Sequence, residues 1–492
     1  MNAKVNLENT EVAIIKGTTP QESVLKGIET LGGISTFIDE GDKVFIKFNL
    51  NLPGGFPTNT NFDVITAVVE SCKDAKAEKI YLGSFPLKGV SIKKISNLLN
   101  LEEYFSGIGA ELTYLDNSNL YDETNLKQDH LNKIKTDSFS IFNNNDREFL
   151  VPKVILDSDK LIIVNQINVN PLFKINSSLL NSSSIVSPKY QEFGVKITDN
   201  SEYISLDQYK TNSISAILDI YAIKKPDLVI NDLFYVLEGA GPFIYKDSNL
   251  KKTNYVVIGK NSVSVDFITL KLLNIDTKDD DLIKEAYKRN LGIIDLEKIK
   301  ILGEVLDDNG INIDLCASKL EDINVKNYRV KSGKYCSGCF KFAYHLLNFM
   351  KSNLVKDLKY NPNNLFLVGQ NPPEPDYYGN ILLFGDCAIN STKNSDFRTV
   401  KKESKKGNEK KYNTKDKILK KHKSQKKPKN KFKTNDKVLE LPGCPPNILD
   451  CMTMFMKYYG KSNMPNLSFF KEIMETWVDP KDKKNLRAMG VL

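Results

Sequence analysis

The sequence predicts an α/β protein in which a doubly wound, largely parallel sheet is followed by a smaller α/β module. Two patterns in the 492 residues support this prediction. Short β-type apolar runs alternate with amphipathic stretches over residues 11–303, which is the pattern of parallel βα units. Beyond residue 330, four cysteines stand where one regular element gives way to the next. A chain of this length favours more than one domain, and we place them at residues 1–310 and 330–480.

The elements of the first domain follow from local signals. Strands are predicted over residues 12–15, 43–47, 79–83, 160–165 and 227–232, because each is a short β-type apolar run. Pro20 opens a helix that stops at Gly32 and Gly33, since proline fits the first helical turn and glycine ends it. A second helix is predicted over residues 62–70.

Polar side chains stand at the predicted carboxyl ends of these strands. Ligands of open α/β sheets bind beyond those ends, so position alone predicts a ligand-binding site there. Its candidate residues are Lys47, Asn49, Asn165, Asn231 and Asp232. Asn and Asp also end strands because they form turns, and both interpretations stay open.

Three carboxylates and one glycine turn complete the candidates in the first domain. Asp232, Glu238 and Asp266 are candidate catalytic groups, although Asp266 also fits a helix start, where the dipole favours an acid. Gly239 and Gly241 precede Pro242 in a tight turn whose amides could face an anion. No glycine-rich phosphate loop of the dinucleotide or Walker type is present.

Several of these segments occur together in one known family. The segments are the runs at residues 41–50, 226–232 and 238–242, the helix after Thr60, the pair Val265-Asp266 and the turn at 290–292. Through these segments, the chain resembles the domain of unknown function 362 family over about residues 10–305. The resemblance implies an α/β fold and no settled chemistry.

The second domain is predicted to bind a metal through Cys336, Cys339, Cys387 and Cys444. Thiolates gathered at turns suit zinc or an iron–sulfur cluster, and a Cys-Pro pair favours the cluster. Zinc stays an alternative, although a zinc ribbon usually shows two Cys-x-x-Cys knuckles. Only three histidines occur, which argues against a His-ligated zinc enzyme. Cys72, Cys316 and Cys451 are predicted to be small buried apolar residues.

Two of the cysteine motifs carry a second resemblance. Gly385-Asp386-Cys387-Ala388 and Pro442-Gly443-Cys444-Pro445-Pro446 are similar to the cluster-binding half of the complex I small subunit and of nickel–iron hydrogenase small subunits. The resemblance is confined to these motifs and implies a [4Fe–4S] cluster on the four cysteines. Strands are predicted over residues 381–385 and 438–441, directly before Cys387 and Cys444. Helices are predicted over residues 340–350 and 447–459, after the cysteine motifs.

The net charge of +8 arises in one basic segment. Residues 398–437 contain 18 Lys and Arg against 4 Asp and Glu, which leaves the remainder of the chain at about −6. With few apolar residues, this segment is predicted to be a disordered insertion in the second domain. A solvated tether and a contact with a polyanion or acidic partner both fit its composition. The absence of a basic excess elsewhere argues against nucleic-acid binding.

These patterns predict a cytoplasmic protein without membrane association. Residues 1–6 show no signal-peptide pattern, no apolar run approaches the length of about 20 residues that spans a bilayer, and seven sparse cysteines favour a reducing compartment. The predicted function is redox: a [4Fe–4S] cluster exchanging electrons with a small anionic substrate or cofactor at the strand ends and with a separate redox partner. The alternative is a non-redox ligand-binding protein or enzyme with a structural cluster or zinc.

Overall fold

The computed structural model describes residues 10–51, 55–86, 92–115, 139–144, 147–186, 205–306, 310–353, 364–374, 380–398, 438–446 and 451. The described residues fall into two compact units, one ending at Ser318 and the other beginning at Lys319. We call them unit 1 and unit 2.

Unit 1 contains a nine-stranded sheet and a separate hairpin. The strands are β1 Thr10–Lys16, β2 Lys43–Phe48, β3 Lys79–Gly83, β4 Glu111–Leu112, β5 Phe139–Asn144, β6 Arg147–Pro152, β7 Lys160–Asn170, β8 Lys174–Ile175, β9 Leu228–Glu238, β10 Asn249–Gly259 and β11 Ile299–Gly303. The sheet order is β11-β1-β10-β9-β7-β2-β3-β4, with β8 beside β7, and β5 pairs with β6. The run from β9 to β4 is parallel, whereas β10 is antiparallel to both of its neighbours.

Helices cover both faces of this sheet. They are α1 Pro20–Thr30, α2 Phe62–Asp74, α3 Ile92–Leu99, α4 Leu101–Gly107, α5 Lys153–Leu156, α6 Ser178–Ser182, α7 Leu206–Ile223, α8 Ser262–Leu272 and α9 Asp281–Lys288. Alternate residues of β9 point into two hydrophobic cores. Leu228 and Ile230 belong to the core that contains residues of α1 and α2, and Val229 and Leu233 belong to the core that contains residues of α6 to α9. The two-residue side-chain period of a strand causes this division. The predicted mixed α/β fold with a largely parallel sheet is confirmed.

The early elements lie where the sequence predicts them. Helix α1 begins at Pro20, and the Thr19 side chain accepts a hydrogen bond from the Glu22 amide. Helix α2 begins after Asn61, whose side chain accepts from the Asp63 amide. These caps satisfy amides that have no partner within the helix, which fixes each helix start.

Strands β7 and β9 continue well past their predicted ends. Asn165, Asn231 and Asp232 therefore lie inside strands instead of terminating them. The prediction that these three residues stand at strand carboxyl ends is wrong, so neither a turn-forming role nor a position at the strand end accounts for them. Asn165 and Asn231 are register partners, and the Asn165 amide donates to Asn231 Oδ1 at 3.0 Å. This hydrogen bond allows the sheet to continue through a polar step, although Asn165 Oδ1 itself has no hydrogen-bond partner in the described chain.

Unit 2 is built on a four-stranded parallel sheet. Its strands are β12 Tyr328–Ser332, β13 Asn364–Val368, β14 Asn380–Phe384 and β15 Val438–Leu441, in the order β12-β13-β14-β15. Its helices are α10 Ser337–Asn353 and α11 Asp386–Ser391. The predicted strands before Cys387 and Cys444 are confirmed. The predicted helix over 447–459 falls almost wholly outside the described residues.

The ends of the basic segment meet beside this sheet. Strand β15 pairs with β14, and Arg398 Nη1 lies 2.5 Å from Glu440 Oε1. Residues 399–437 themselves lie outside the described part of the chain, so the prediction of disorder stays a prediction. The ion pair nevertheless shows that the chain leaves and re-enters unit 2 at neighbouring points, as an insertion requires.

Candidate functional site

Lys47 is a wholly buried amine near the carboxyl end of β2. Its Nζ donates to Phe48 O at 2.8 Å and to Asn181 Oδ1 at 2.6 Å. No carboxylate pairs with it among the ion pairs of the described chain. Burial lowers the pKa of Lys47 to about 7, because desolvation disfavours the ammonium.

Asn49 lies beside Lys47 and joins β2 to its neighbours. Asn49 Oδ1 accepts from the Gln166 amide at 2.8 Å and from Thr60 Oγ1 at 3.2 Å. Asn181 Nδ2 approaches the same oxygen at 3.4 Å. The predicted candidates Lys47 and Asn49 are therefore brought together through Asn181, a residue that sequence reasoning missed. Asn181 stands in a Ser- and Asn-rich run with no distinguishing pattern, so only its contacts identify it.

Asn165 and Asn231 extend this polar cluster toward β9. Asn165 Nδ2 donates to Asn231 Oδ1 and, at 2.9 Å, to Asn176 O. Asn231 Nδ2 donates to Asp266 Oδ1 at 2.8 Å and to Thr269 Oγ1 at 3.0 Å. The cluster therefore places four predicted residues on or directly after neighbouring strands of one sheet: Lys47 on β2, Asn49 just after it, Asn165 on β7 and Asn231 on β9.

Asp266 holds the start of α6. It is the fifth residue of α8, and its carboxylate accepts from Ser178 N, Ser178 Oγ and Leu179 N at 2.7–2.9 Å. The expectation that Asp266 stabilises the start of its own helix is wrong, because the amides it binds belong to another one. Burial raises the pKa of this carboxyl, and the hydrogen bonds from Asn231, Ser178 and Leu179 act in the opposite sense.

Asp232 faces the opposite side of the sheet from Asn231. Its Oδ1 accepts from the Phe234 amide at 2.8 Å, whereas its buried Oδ2 has no hydrogen-bond partner. Gln166, its register partner on β7, also has an unpartnered buried oxygen, Oε1. Burial raises the pKa of Asp232 to about 7. A protonated Asp232 is the simplest state of such a carboxyl at neutral pH, since no ion pair in the described part of the chain compensates its charge.

Glu238 and the glycine amides of the turn after it form hydrogen bonds within the protein. Glu238 accepts from Asn249 Nδ2 at 2.8 Å and from the Asp314 amide at 3.2 Å. The Gly239 amide donates to Asp314 O at 2.6 Å, and the Gly241 amide points to Cys316 Sγ at 3.4 Å. Since both glycine amides already have protein acceptors, this turn offers neither of them to an anion.

The four predicted metal cysteines follow the carboxyl ends of parallel strands in unit 2. Cys336 comes four residues after β12, Cys387 three residues after β14 and Cys444 three residues after β15. Cys339 lies in the first turn of α10, inside the helix that was predicted to begin just after it. Parallel strands bring their carboxyl ends to one edge, so the three segments meet there.

Close contacts confirm that the cysteine-bearing segments touch. A methyl group added to Gly385 would lie 3.4 Å from Cys339 Sγ, and one added to Gly338 would lie 3.2 Å from Pro445 Cδ. Gly385 N donates to Leu441 O at 2.9 Å, and Asp386 N donates to Gly443 O at 3.0 Å. Asp386 Oδ1 in turn accepts from Gly443 N at 2.8 Å. These three hydrogen bonds fix the Cys387 and Cys444 loops against each other.

The thiols interact as two pairs. Hydrogen bonding from Cys339 lowers the pKa of Cys336 to about 6, while the pKa of Cys339 is raised by the same contact. Hydrogen bonding from Cys444 lowers the pKa of Cys387 to about 7, and the pKa of Cys444 is raised. Within the described residues, no three His, Cys, Asp or Glu side chains surround a single metal ion. The arrangement offers four thiol ligands in two pairs on one edge.

The remaining cysteines differ from one another. Cys72 and Cys451 are buried, as predicted for small apolar residues. Cys316 is only partly buried and lies beside the Gly241 amide and carbonyl, so the prediction that it is a purely apolar core residue is wrong.

Comparison with known proteins relates part of the chain to one family. Among the described helices, none combines the length and the apolar character that a membrane span requires. No curated protein matches the chain. Residues 44–271, which contain Lys47, the asparagine cluster, Asp232 and Asp266, match the model of the family described as Domain of unknown function (DUF362).

Proposed function

We propose that the protein is an iron–sulfur redox protein that carries a [4Fe–4S] cluster on Cys336, Cys339, Cys387 and Cys444. The observation that carries the proposal is the meeting of four cysteines at the carboxyl edge of the parallel sheet of unit 2. Four thiolates without a histidine or carboxylate ligand suit iron–sulfur clusters and zinc.

The sequence around the thiols supports a cluster over a single zinc ion. A proline follows Cys444, which favours an iron–sulfur site, and Cys387 and Cys444 do not form the second Cys-x-x-Cys knuckle that is usual in a zinc ribbon. The cluster, when bound, supplies one-electron transfer.

The residues around the thiols suit an anionic group. The N-terminal turn of α10 contains Cys339, and helix N-termini stabilise negative charge. Cys336 and Cys339 are buried, Cys387 is partly exposed and Cys444 is exposed. The exposed side gives a redox partner an approach to the site, while the buried pair is shielded from water.

Unit 1 would then hold the small molecule that exchanges electrons with this centre. Its polar cluster around Lys47, Asn49, Asn165 and Asn231 lies in the family-matched region and spans the parallel strands β2, β7 and β9. A buried amine that has no counter-ion in the described chain, Lys47, and a buried oxygen without a partner there, Asn165 Oδ1, are costly to a fold, which is a reason to assign this cluster a ligand-binding function.

Anaerobic purification tests the proposal directly. The protein should contain about four irons and four sulfides and show charge-transfer absorption that dithionite bleaches. Ala variants of Cys336, Cys339, Cys387 and Cys444 should each lose iron, whereas Cys451→Ala, a buried control in unit 2, should keep it. Stoichiometric zinc without sulfide would refute the cluster and support a structural metal. A cluster that cannot be reduced and reoxidised would refute the redox role alone.

A further inference from the structure

Lys47 is an unusual lysine because it is buried without a counter-ion. It is fully buried, and in the described chain no carboxylate lies within ion-pair distance of its Nζ. Burying an unpaired charge is among the most costly changes that a fold can contain. An amine in this position therefore has either a function in its neutral form or an anionic ligand.

The hydrogen bonds of Nζ match the neutral amine. A neutral amine has two N–H donors and one lone pair, whereas an ammonium has three N–H donors. Nζ has two acceptors, Phe48 O and Asn181 Oδ1, and neither carries a charge. Among the described residues, no donor forms a hydrogen bond with the lone pair of Nζ. The lowered pKa of about 7 agrees with this count.

The surrounding amides argue against an anion as the ligand. The side-chain NH₂ groups of Asn165, Asn181 and Asn231 all donate to protein acceptors already. An anion beside Lys47 would find no amide donor among them. Asn165 Oδ1, by contrast, is a buried acceptor without a donor, and it lies on the same face of the sheet as Lys47, on the neighbouring strand. A ligand that acquires a hydroxyl group would suit that oxygen.

We propose that Lys47 is a nucleophile and that the ligand of unit 1 is an aldehyde or ketone, which forms an imine with it. The Nζ lone pair adds to the carbonyl carbon, and the π electrons move to the carbonyl oxygen. A proton passes from nitrogen to that oxygen to give a carbinolamine, whose hydroxyl group Asn165 Oδ1 can accept. The C–O bond then breaks, the hydroxyl group leaves as water with the remaining N–H proton, and the nitrogen lone pair forms the C=N bond. Buried lysines with a lowered pKa are the ones that perform this chemistry.

Asn181 positions the amine. Its Nδ2 lies 3.5 Å from Val164 O and 3.4 Å from Asn49 Oδ1, which turns its Oδ1 toward Lys47. The helix that carries Asn181 is held at its start by Asp266 of the neighbouring α8. Asn181 is a positioning residue, and replacing its amide by a carboxylate should hold Lys47 in the ammonium form.

The inference rests on the ligand-binding part of the proposed function and not on the cluster. Reductive trapping tests it: the full-length protein is treated with acetaldehyde and sodium cyanoborohydride between pH 6 and 10, and peptide mass spectrometry measures N-ethylation. Lys47 should label with a midpoint near pH 7, and at pH 7 faster than the exposed Lys76. Lys47→Arg should lose this label alone. Iron and sulfide are measured on the same sample, so that failure of the cluster is recognised separately.

Two further arms decide the mechanism. Asn181→Asp should move the labelling midpoint of Lys47 upward by more than one pH unit, with hydrogen exchange of β2 as the check that the variant is folded. If Asn181→Asp does not fold, the pH dependence of Lys47 labelling in the wild-type protein decides between the outcomes. Labelling of exposed lysines without Lys47, or protection of Lys47 by inorganic phosphate, would overturn the proposal, the latter in favour of an anion site.

Discussion

Replacing Lys47 by Met should change the pH dependence of stability of unit 1. The folded-state pKa of Lys47 is lowered from 10.5 to about 7 by burial. The unfolded chain therefore binds this proton more tightly than the folded protein between these two values. Wild-type stability should accordingly rise as pH increases from 7 to about 10.5, and the penalty should be constant below 7.

The expected change in the free energy of unfolding follows from the pKa shift of Lys47. At about 1.4 kcal/mol for each unit of pKa, the buried amine costs unit 1 roughly 4 kcal/mol at pH 7 and about 2 kcal/mol at pH 9. Lys47→Met removes this cost but leaves Phe48 O and Asn181 Oδ1 without a donor, at about 1–3 kcal/mol each. The loss of the hydrogen bonds is independent of pH. The stability difference, variant minus wild type, should therefore fall by roughly 3–4 kcal/mol between pH 7 and 10.

The assay must report on unit 1 alone, because the chain contains two compact units. Hydrogen exchange of peptides from β2 and β7 in a urea series gives a local free energy of unfolding at each pH. Lys76→Met is the matched control, since Lys76 is exposed and its removal should leave the pH profile unchanged. Parallel pH profiles for wild type and Lys47→Met would refute the reasoning, because they would mean that Lys47 ionises alike in both states.

Three further predictions concern Asp232, the cysteine loops and the basic segment. Burial raises the pKa of Asp232 from 3.8 to about 7, so the stability of the wild-type protein should fall by up to about 4 kcal/mol as pH rises from about 4 to 7. Asp232→Asn should remove this pH dependence. Equal pH dependence of wild type and variant in the same exchange assay would contradict the prediction. Asp386→Ala removes the acceptor of the Gly443 amide and should lower iron retention during gel filtration, whereas Asp386→Asn should retain more iron. Unchanged iron retention in both variants would show that the hydrogen bond between Asp386 and Gly443 is dispensable. Replacing residues 399–437 by a short Gly/Ser linker should keep iron content and the unfolding midpoint of unit 2, because the ion pair joins the two sides of the segment; loss of iron would make the segment structural.

The alternation of apolar runs and helices predicted most of the regular structure. The starts of α1 and α2 follow from Pro20 and Asn61, whose effects depend on the few residues next to them. The strands before Cys387 and Cys444 were equally predictable, since a short apolar run ended by glycine or proline is a local signal. Local signals suffice here because each involves neighbours along the chain.

The ends of β7 and β9 were not predictable in the same way. Asn165 and Asn231 carry turn-forming side chains, and each alone favours the end of a strand. Their mutual hydrogen bond, between residues 66 positions apart, reverses that preference. The partner of Asp266 was hidden for the same reason, because the amides of α6 lie 87 and 88 positions away in the chain.

Residue type and spacing were enough to predict the α/β class, the family resemblance of the region around Lys47 and the four cysteines at element ends. The packing of distant segments was needed to find that the Lys47 amine has no counter-ion in the described chain, that Asn181 faces it, and that the amide donors around it are already used. Residue type and spacing reflect local preference, whereas burial and hydrogen-bond satisfaction depend on which distant segments pack together. For the same reason the sequence gives no sign that the pKa of Lys47 falls from 10.5 to about 7, since that change is caused by burial in the folded protein.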